Sequence, residues 1–189
     1  MNQKHIAIFA SGQGSNASKI IEHFTQHDNI NVSLLITNNQ KSKIIDIAEL
    51  NGIPFHITNK KEFFSEQSIV SLLQYHKINF IVLAGFLWKL PNALILSFPN
   101  QIINIHPALL PKFGGNGMYG MHVHDAVLKA GEKESGVTIH YVNEELDKGD
   151  IIFQAKCKVE TSETIESLTQ KIRKLEHDNY ANIIEQILS

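Results

Sequence analysis

The chain has 189 residues and a mass of 21.3 kDa, with 43% hydrophobic and 19% charged residues, enough for one well-developed core and short for two independent domains. Its 17 basic and 19 acidic side chains leave a net charge of −2, so no basic field exists to hold a polynucleotide, and the densest basic stretch, Lys171-Ile172-Arg173-Lys174, is followed by Glu176 and Asp178. The single cysteine, Cys157, reads as a buried structural thiol, and no signal segment or apolar run of the ~20 residues that cross a bilayer is present, which together point to a reducing cytoplasm without membrane or nucleic-acid partners.

In chain order, residues 5–10 (HIAIFA) are a nearly continuous apolar run, the pattern of a strand buried on both faces. Gly12 and Gly14 punctuate it, and Ile20, Ile21 and Phe24 give residues 17–27 helical spacing. Residues 32–37 read as a second strand. Ile44, Ile47, Ala48 and Leu50 form the stripe of a second helix, ended by Gly52-Ile53-Pro54. A short third strand at 55–57 precedes a third helix at 62–76, with Ile69, Leu72 and Leu73 inward, and residues 80–84 (FIVLA) are a central fourth strand. This alternation predicts βαβ units and a right-handed, doubly wound sheet.

Beyond it come a short helix at 91–98 and a fifth strand at 101–105 that ends on His106-Pro107. Residues 108–120 carry Pro111, Gly114, Gly115, Gly117 and Gly120 and are expected to form an ordered loop, followed by a helix at 121–130. Strands at 136–142 and 150–159 flank the turn 143–149 as an antiparallel pair at the sheet's edge. A long amphipathic helix closes the chain at 161–188, capped by Thr161 or Ser162, with Glu163 favouring its dipole. The predicted fold class is α/β: an open, mostly parallel twisted sheet with a Rossmann-like N-terminal half, helices on both faces and an antiparallel edge addition in the C-terminal half. One domain, 1–189, is expected, with halves 1–100 and 101–189.

Gly12-Gln13-Gly14-Ser15-Asn16 joins a buried strand to a helix, so backbone N–H groups can converge on an anion while Ser15 and Asn16 add side-chain donors. The plain alternative is a tight turn. The three-glycine dinucleotide fingerprint is not met, and a Walker lysine is missing.

Asn104 and His106 stand two apart at a strand's end and therefore on one face, where an amide and an imidazole can polarise a carbonyl and hold an oxyanion. Asp147, in the turn Glu144-Glu145-Leu146-Asp147-Lys148-Gly149, either orients His106, accepts a proton through water, or merely makes an Asx-turn with Gly149. His122 and His124 cannot share one face of a helix beginning near Met121, and His140 lies on a strand among apolar neighbours, so no metal site is expected.

The strings Phe9-Ala10-Ser11-Gly12-Gln13-Gly14-Ser15-Asn16, Val82-Leu83-Ala84-Gly85-Phe86, Asn104-Ile105-His106-Pro107-Ala108-Leu109-Leu110-Pro111 and Glu145-Leu146-Asp147-Lys148-Gly149 resemble the phosphoribosylglycinamide formyltransferase family, folate-dependent enzymes of de novo purine synthesis, and the resemblance runs from the first strand to the final helix. The resemblance implies formyl transfer from 10-formyltetrahydrofolate to the amine of glycinamide ribonucleotide, without a metal. It places the family's asparagine, histidine and aspartate on Asn104, His106 and Asp147, with the charged imidazole and the amide meeting the oxyanion and Asp147 orienting the ring and relaying a proton. It assigns the ribonucleotide phosphate to residues 12–16 and a glutamate near the substrate amine to Glu176. The pterin pocket is similar to one built from Phe86, Leu87, Trp88, Lys89 and Leu90 together with Asn104, Val142, Asn143, Glu144, Glu145, Leu146 and Asp147.

Two departures stand out. Leu87-Trp88-Lys89-Leu90 replaces the common Met-Arg-Ile-Leu, so Trp88 stands at the arginine position and Lys89 is the cation left beside the folate tail. The loop 112–122 is longer than the common Lys-Tyr-Pro-Gly-Leu-His version. Rival readings are another folate-dependent formyltransferase, such as the methionyl-tRNA enzyme with its separate RNA-binding domain, a formyltetrahydrofolate hydrolase with an added regulatory domain, or a non-enzymatic phosphate-binding module. A monomer or weak homodimer is expected.

Overall fold

The structure is a computed structural model that describes residues 3–65 and 67–189. The chain forms two compact units, one running up to Ile103 with Glu185–Ser189 added, the other Asn104–Ile184.

In the first unit β1 (Lys4–Phe9), α1 (Ser15–Phe24), β2 (Ile30–Thr37), α2 (Ile44–Leu50), β3 (Phe55–Ile57), α3 (Lys60–Phe63), α4 (Ser68–Tyr75), β4 (Phe80–Leu83) and α5 (Asn92–Ser97) follow one another. Strand β1 lies parallel to both β2 and β4, and β2 parallel to β3. The last four residues of β1 and all four of β4 are buried, which is why both read as unbroken apolar runs. Helix α1 buries Ala17, Ile20, Ile21 and Phe24 along one stripe. Ile20, Ile21 and Phe24 each contribute about 1.5–3 kcal/mol through burial.

Two expectations fail here. The helix expected at 62–76 is broken into α3 and α4. Asn59 Oδ1 caps the start of α3 by accepting from Glu62 N, and at its other end Ser65 Oγ donates to the Glu62 carbonyl, so a local polar side chain takes up a helix acceptor where α3 stops. Leu50, expected inward, is 87% exposed. The buried face of α2 is set by Ile44 and Ala48, and Leu50 lies about 200° round the helix from Ala48.

The second unit begins within β5 (Ile102–His106) and continues with α6 (Met121–Lys129), β6 (Glu134–Tyr141), β7 (Ile151–Lys158) and α7 (Ile165–Leu188). Strands β6 and β7 are antiparallel, as the short turn between them requires. A Cβ at Gly136 would lie 2.0 Å from the Ala155 carbonyl oxygen, so glycine is what lets the two strands approach there. Helix α7 starts later than expected. Thr164 is its cap, not Thr161 or Ser162: Thr164 Oγ1 accepts from Ser167 N, and Ser167 Oγ accepts from Thr164 N in return. Cys157 is only half-buried, because β7 is the last strand of the sheet and one side of it is uncovered.

The strand order is β3-β2-β1-β4-β5-β6-β7, a mixed, mostly parallel sheet flanked by helices. No helix among the described residues is long and apolar enough to cross a membrane.

Candidate active site

The glycine loop follows β1 in the first unit. Gly14 caps α1 at φ 70, a backbone conformation that favours glycine, and a Cβ there would meet the tip of the Ile47 side chain, Cδ1, at 2.7 Å and push it aside. The first turn of α1 has no side-chain cap. Carbonyl groups of the loop are occupied from the 39–43 segment: Asn39 Nδ2 donates to Ser11 O, while Ser42 Oγ and Lys43 N donate to Gly12 O. With those acceptors taken and the helix start uncapped, the loop has the character of a donor-rich anion cradle.

Ser11 also reaches the predicted folate segment. Its N–H donates to Gly85 O, and its Oγ accepts from Leu87 N at 3.0 Å. The Leu87 amide is therefore engaged within the chain, whereas its side chain is exposed. Trp88 is half-buried in an aromatic cluster, with ring centroids 5.4 Å from Phe63, 6.0 Å from Phe64 and 6.1 Å from Phe86. It serves packing at this point of the fold; Lys89 beside it is exposed, and Leu90 is buried.

The second unit holds the polar cluster. His106 ends β5 and is 3% exposed. Its Nε2 lies 2.7 Å from the Phe113 carbonyl, and since a carbonyl only accepts, Nε2 carries a proton. The other nitrogen, Nδ1, faces Asp147 Oδ2 at 3.7 Å. Asp147 Oδ2 also accepts from Gly115 N at 2.8 Å, and its Oδ1 stands 3.8 Å from His140 Nε2. Asn104 Nδ2 is 3.2 Å from the same His140 nitrogen. Asp147 thus faces both His106 and His140, and His140 in turn faces Asn104, which brings Asn104, His106 and Asp147 into one cluster.

Backbone geometry holds this cluster. Asp147 sits at φ 56, a left-handed conformation that Asp tolerates better than most residues, and its side chain bonds to Gly115 rather than making an Asx-turn with Gly149. Gly149 is obligatory, because a Cβ would lie 1.8 Å from the Tyr141 carbonyl oxygen. Phe113, at φ 57, and Gly114, whose added Cβ would meet Leu110 Cδ2 at 2.6 Å and Asp147 Cβ at 3.1 Å, press the loop against the aspartate. The strain at Phe113, of order 1–3 kcal/mol, is offset by the two hydrogen bonds that residues 113 and 115 make to His106 and Asp147.

Beneath the cluster, Thr138 Oγ1 donates to Ala108 O and accepts from Leu110 N, while Gln154 Nε2 donates to Thr138 Oγ1 and to Leu110 O. These bonds pin the segment that follows His106. Gly136, Thr138 and His140 alternate along β6, so one period-2 face carries both polar groups, a signal present in the sequence and there assigned only to the strand.

Other expected residues have different surroundings. Asn143, Glu144, Glu145 and Leu146 are exposed and Val142 is half-buried; Asn143 Oδ1 accepts from Glu145 N, and Glu145 pairs with Lys148. Glu176 is half-buried on α7, where burial first and then the Glu176 charge push the Tyr180 phenol well above its ordinary range. His122 is exposed and His124 buried, on different faces of α6. Burial, with His106 as a lesser cause, pushes the His124 imidazole down, and its Nδ1 has no hydrogen-bond partner among the described residues. Among those residues no group of three or more His, Cys, Asp or Glu side chains is placed to hold a metal ion.

Residues 4–184 match the family model described as Formyl transferase. The chain is 40% identical over 191 residues to the chloroplastic phosphoribosylglycinamide formyltransferase of Arabidopsis thaliana, covering 98% of this chain and 65% of that protein. It is 35% identical over 190 residues to the phosphoribosylglycinamide formyltransferase of Bacillus subtilis (strain 168), covering 98% of this chain and 95% of the relative. The crystal structure of glycinamide ribonucleotide transformylase 1 from Geobacillus kaustophilus superposes with a TM-score of 0.91 at 32% identity, over 100% of both chains. The chain thus spans just under two thirds of the plant relative and nearly all of the bacterial one. With a family model matched from its first strand into its last helix, the chain belongs to the formyl transferase family, among its phosphoribosylglycinamide formyltransferases.

Proposed function

We propose that this chain transfers a formyl group from 10-formyltetrahydrofolate to the primary amine of glycinamide ribonucleotide, with Asn104, His106 and Asp147 as the catalytic residues. The observation that carries the reading is the buried convergence of an amide, an imidazole and a carboxylate at the end of β5, on a chain of a folate-dependent family. The amine nitrogen attacks the formyl carbon, and a tetrahedral oxyanion forms. As the new C–N bond persists, the bond to N10 of the folate breaks, and the proton lost by the amine ends on N10.

His106 and Asn104 supply N–H donors to that oxyanion. The acceptor now held by His106 Nε2 is the Phe113 carbonyl, chemically akin to the formyl oxygen that replaces it when co-substrate binds. Protonated at both nitrogens, the ring turns its Nδ1–H toward Asp147, whose carboxylate orients it and passes the amine proton on through water. Donors fixed before the reaction lower the barrier without reorganisation, and that effect needs no Lewis acid. The phosphate is assigned to residues 12–16, where the uncapped start of α1 supports an anion.

Steady-state kinetics of Asn104→Ala, His106→Ala and Asp147→Asn test the assignment. Each is expected to lower kcat by about 100-fold or more, with KM for the ribonucleotide within about threefold of the parent. A variant that loses its affinity for substrate while keeping kcat would remove that residue from the chemical step.

A further inference from the structure

The proposed chemistry leaves one member of the cluster without a task. His140 is 2% exposed, deeper than either carboxylate or amide it touches. Its Nδ1 lies 2.8 Å from the Tyr141 carbonyl oxygen. That oxygen can only accept, so Nδ1 carries the proton, and in the neutral ring Nε2 is left with a lone pair. The nearest group to that lone pair is Asn104 Nδ2 at 3.2 Å, which can only donate. With the amide turned over, its oxygen would face the lone pair and neither group could donate. One ring tautomer therefore selects one of the two amide orientations of Asn104.

We infer that His140 is a positioning residue for formyl transfer: its neutral, Nδ1-protonated ring locks the Asn104 amide so that the second N–H of that amide is the one presented to the oxyanion. The inference rests on the reading of Asn104 as an oxyanion donor. An amide nitrogen has two N–H groups, and the bond to His140 occupies one and orients the other. A freely turning amide would offer its oxygen half the time, and an oxygen lone pair aimed at a developing oxyanion repels it.

The surroundings keep the ring in the required form. Burial is the strongest influence on His140 and pushes its pKa down. The bond to the Tyr141 carbonyl and the Asp147 charge pull the other way, and His106 adds to the lowering. Protonation of Nε2 would replace an acceptor by a donor and favour the turned-over amide. Asp147 Oδ1, 3.8 Å from Nε2, is the group closest to stabilising that wrong form, yet its partner Oδ2 is tied to Gly115 N, which holds the carboxylate back.

Nitrogen NMR of the parent protein and a double-mutant cycle test the inference together. The expected spectrum shows His140 protonated at Nδ1 and unprotonated at Nε2 at neutral pH. His140→Phe, which keeps ring volume but has no acceptor, is expected to lower kcat about 10- to 100-fold with both KM values within about threefold, the pattern of a donor lost only in the transition state. His140→Gln, whose amide oxygen can accept from Asn104, recovers part of the loss. In an Asn104→Ala background, adding His140→Phe is expected to cost less than about twofold, because a residue acting only through Asn104 has nothing left to position.

An Nε2-protonated ring, or an equal loss from His140→Phe with and without Asn104, overturns the inference. Should His140→Phe not fold, the parent spectrum and the His140→Gln cycle decide it. If Asn104→Ala turns over as fast as the parent, the donor role of Asn104 fails and takes this inference with it; a correct tautomer in that same experiment shows that the fault lies in the role of Asn104 and not in the geometry of His140.

Discussion

Single residues in this chain divide into those whose chemistry is visible from spacing and those whose role depends on a neighbour brought from far along the sequence. Asn104 and His106 are of the first kind, because a strand places residues two apart on one face. Asp147 was legible from its polar turn, although the bond it makes is to Gly115, 32 residues away, and not within the turn. His140 is of the second kind: among Ile139, Tyr141 and Val142 it reads as a strand residue, and only the approach of Asn104 across 36 residues gives it work. Likewise Ser42 and Asn39 brace the glycine loop through carbonyls, and a backbone acceptor has no signature in a string of letters. Gly14 offers the clearest test at this scale. Valine there must adopt φ 70 and displace Ile47, so the loop is expected to deform locally. Gly14→Val should raise KM for the ribonucleotide about tenfold or more and KM for the folate less than threefold. Equal effects on both would take the phosphate away from this loop.

At the scale of elements, apolar periodicity located the strands and most helices, because burial on one face is what a period of 2 or 3.6 records. It failed where polar side chains set the ends. The start of α3 is marked by Asn59 and its end by Ser65, and the start of α7 by Thr164 and Ser167, none of which alters the apolar pattern. Thr164→Ala is expected to cost about 1 kcal/mol of stability, measured from the urea midpoint at constant slope. The same turn carries a pH-dependent clamp. Glu163 is buried against α7, where Ser167 Oγ and Lys171 Nζ both donate to it and hold its carboxyl below the usual carboxylate range. A depressed folded-state pKa contributes stability above the unfolded value, about 4.3, and that contribution is lost as pH falls through the folded value. Lys171→Met should therefore be less stable than the parent at neutral pH, with the gap narrowing as pH falls from about 5 toward 3. A gap that stays constant over that range would make the effect one of packing.

For the whole molecule, the alternation of strands and helices was enough to identify an open α/β sheet, and the observed order β3-β2-β1-β4-β5-β6-β7 agrees with it, including the antiparallel edge pair. What alternation does not encode is how the chain gathers into units. The first runs to Ile103 and takes back Glu185–Ser189 from the end of α7, where Glu185 accepts from His23 Nε2 at 2.6 Å. The two side chains of that contact stand 162 residues apart, and no local pattern foretells it. The polar cluster lies entirely within the second unit, and the glycine loop and aromatic segment within the first.

In the proposed reaction this chain passes a formyl group from one bound substrate to the other. Its most direct test uses 10-formyltetrahydrofolate isotopically labelled at the formyl carbon, purified protein and glycinamide ribonucleotide, with the products followed by NMR and mass spectrometry. The label is expected in a new amide on the ribonucleotide, one for each tetrahydrofolate released, with no turnover when the ribonucleotide is left out. Label released as formate at the same rate with or without the ribonucleotide would contradict it and make water, not the amine, the acceptor.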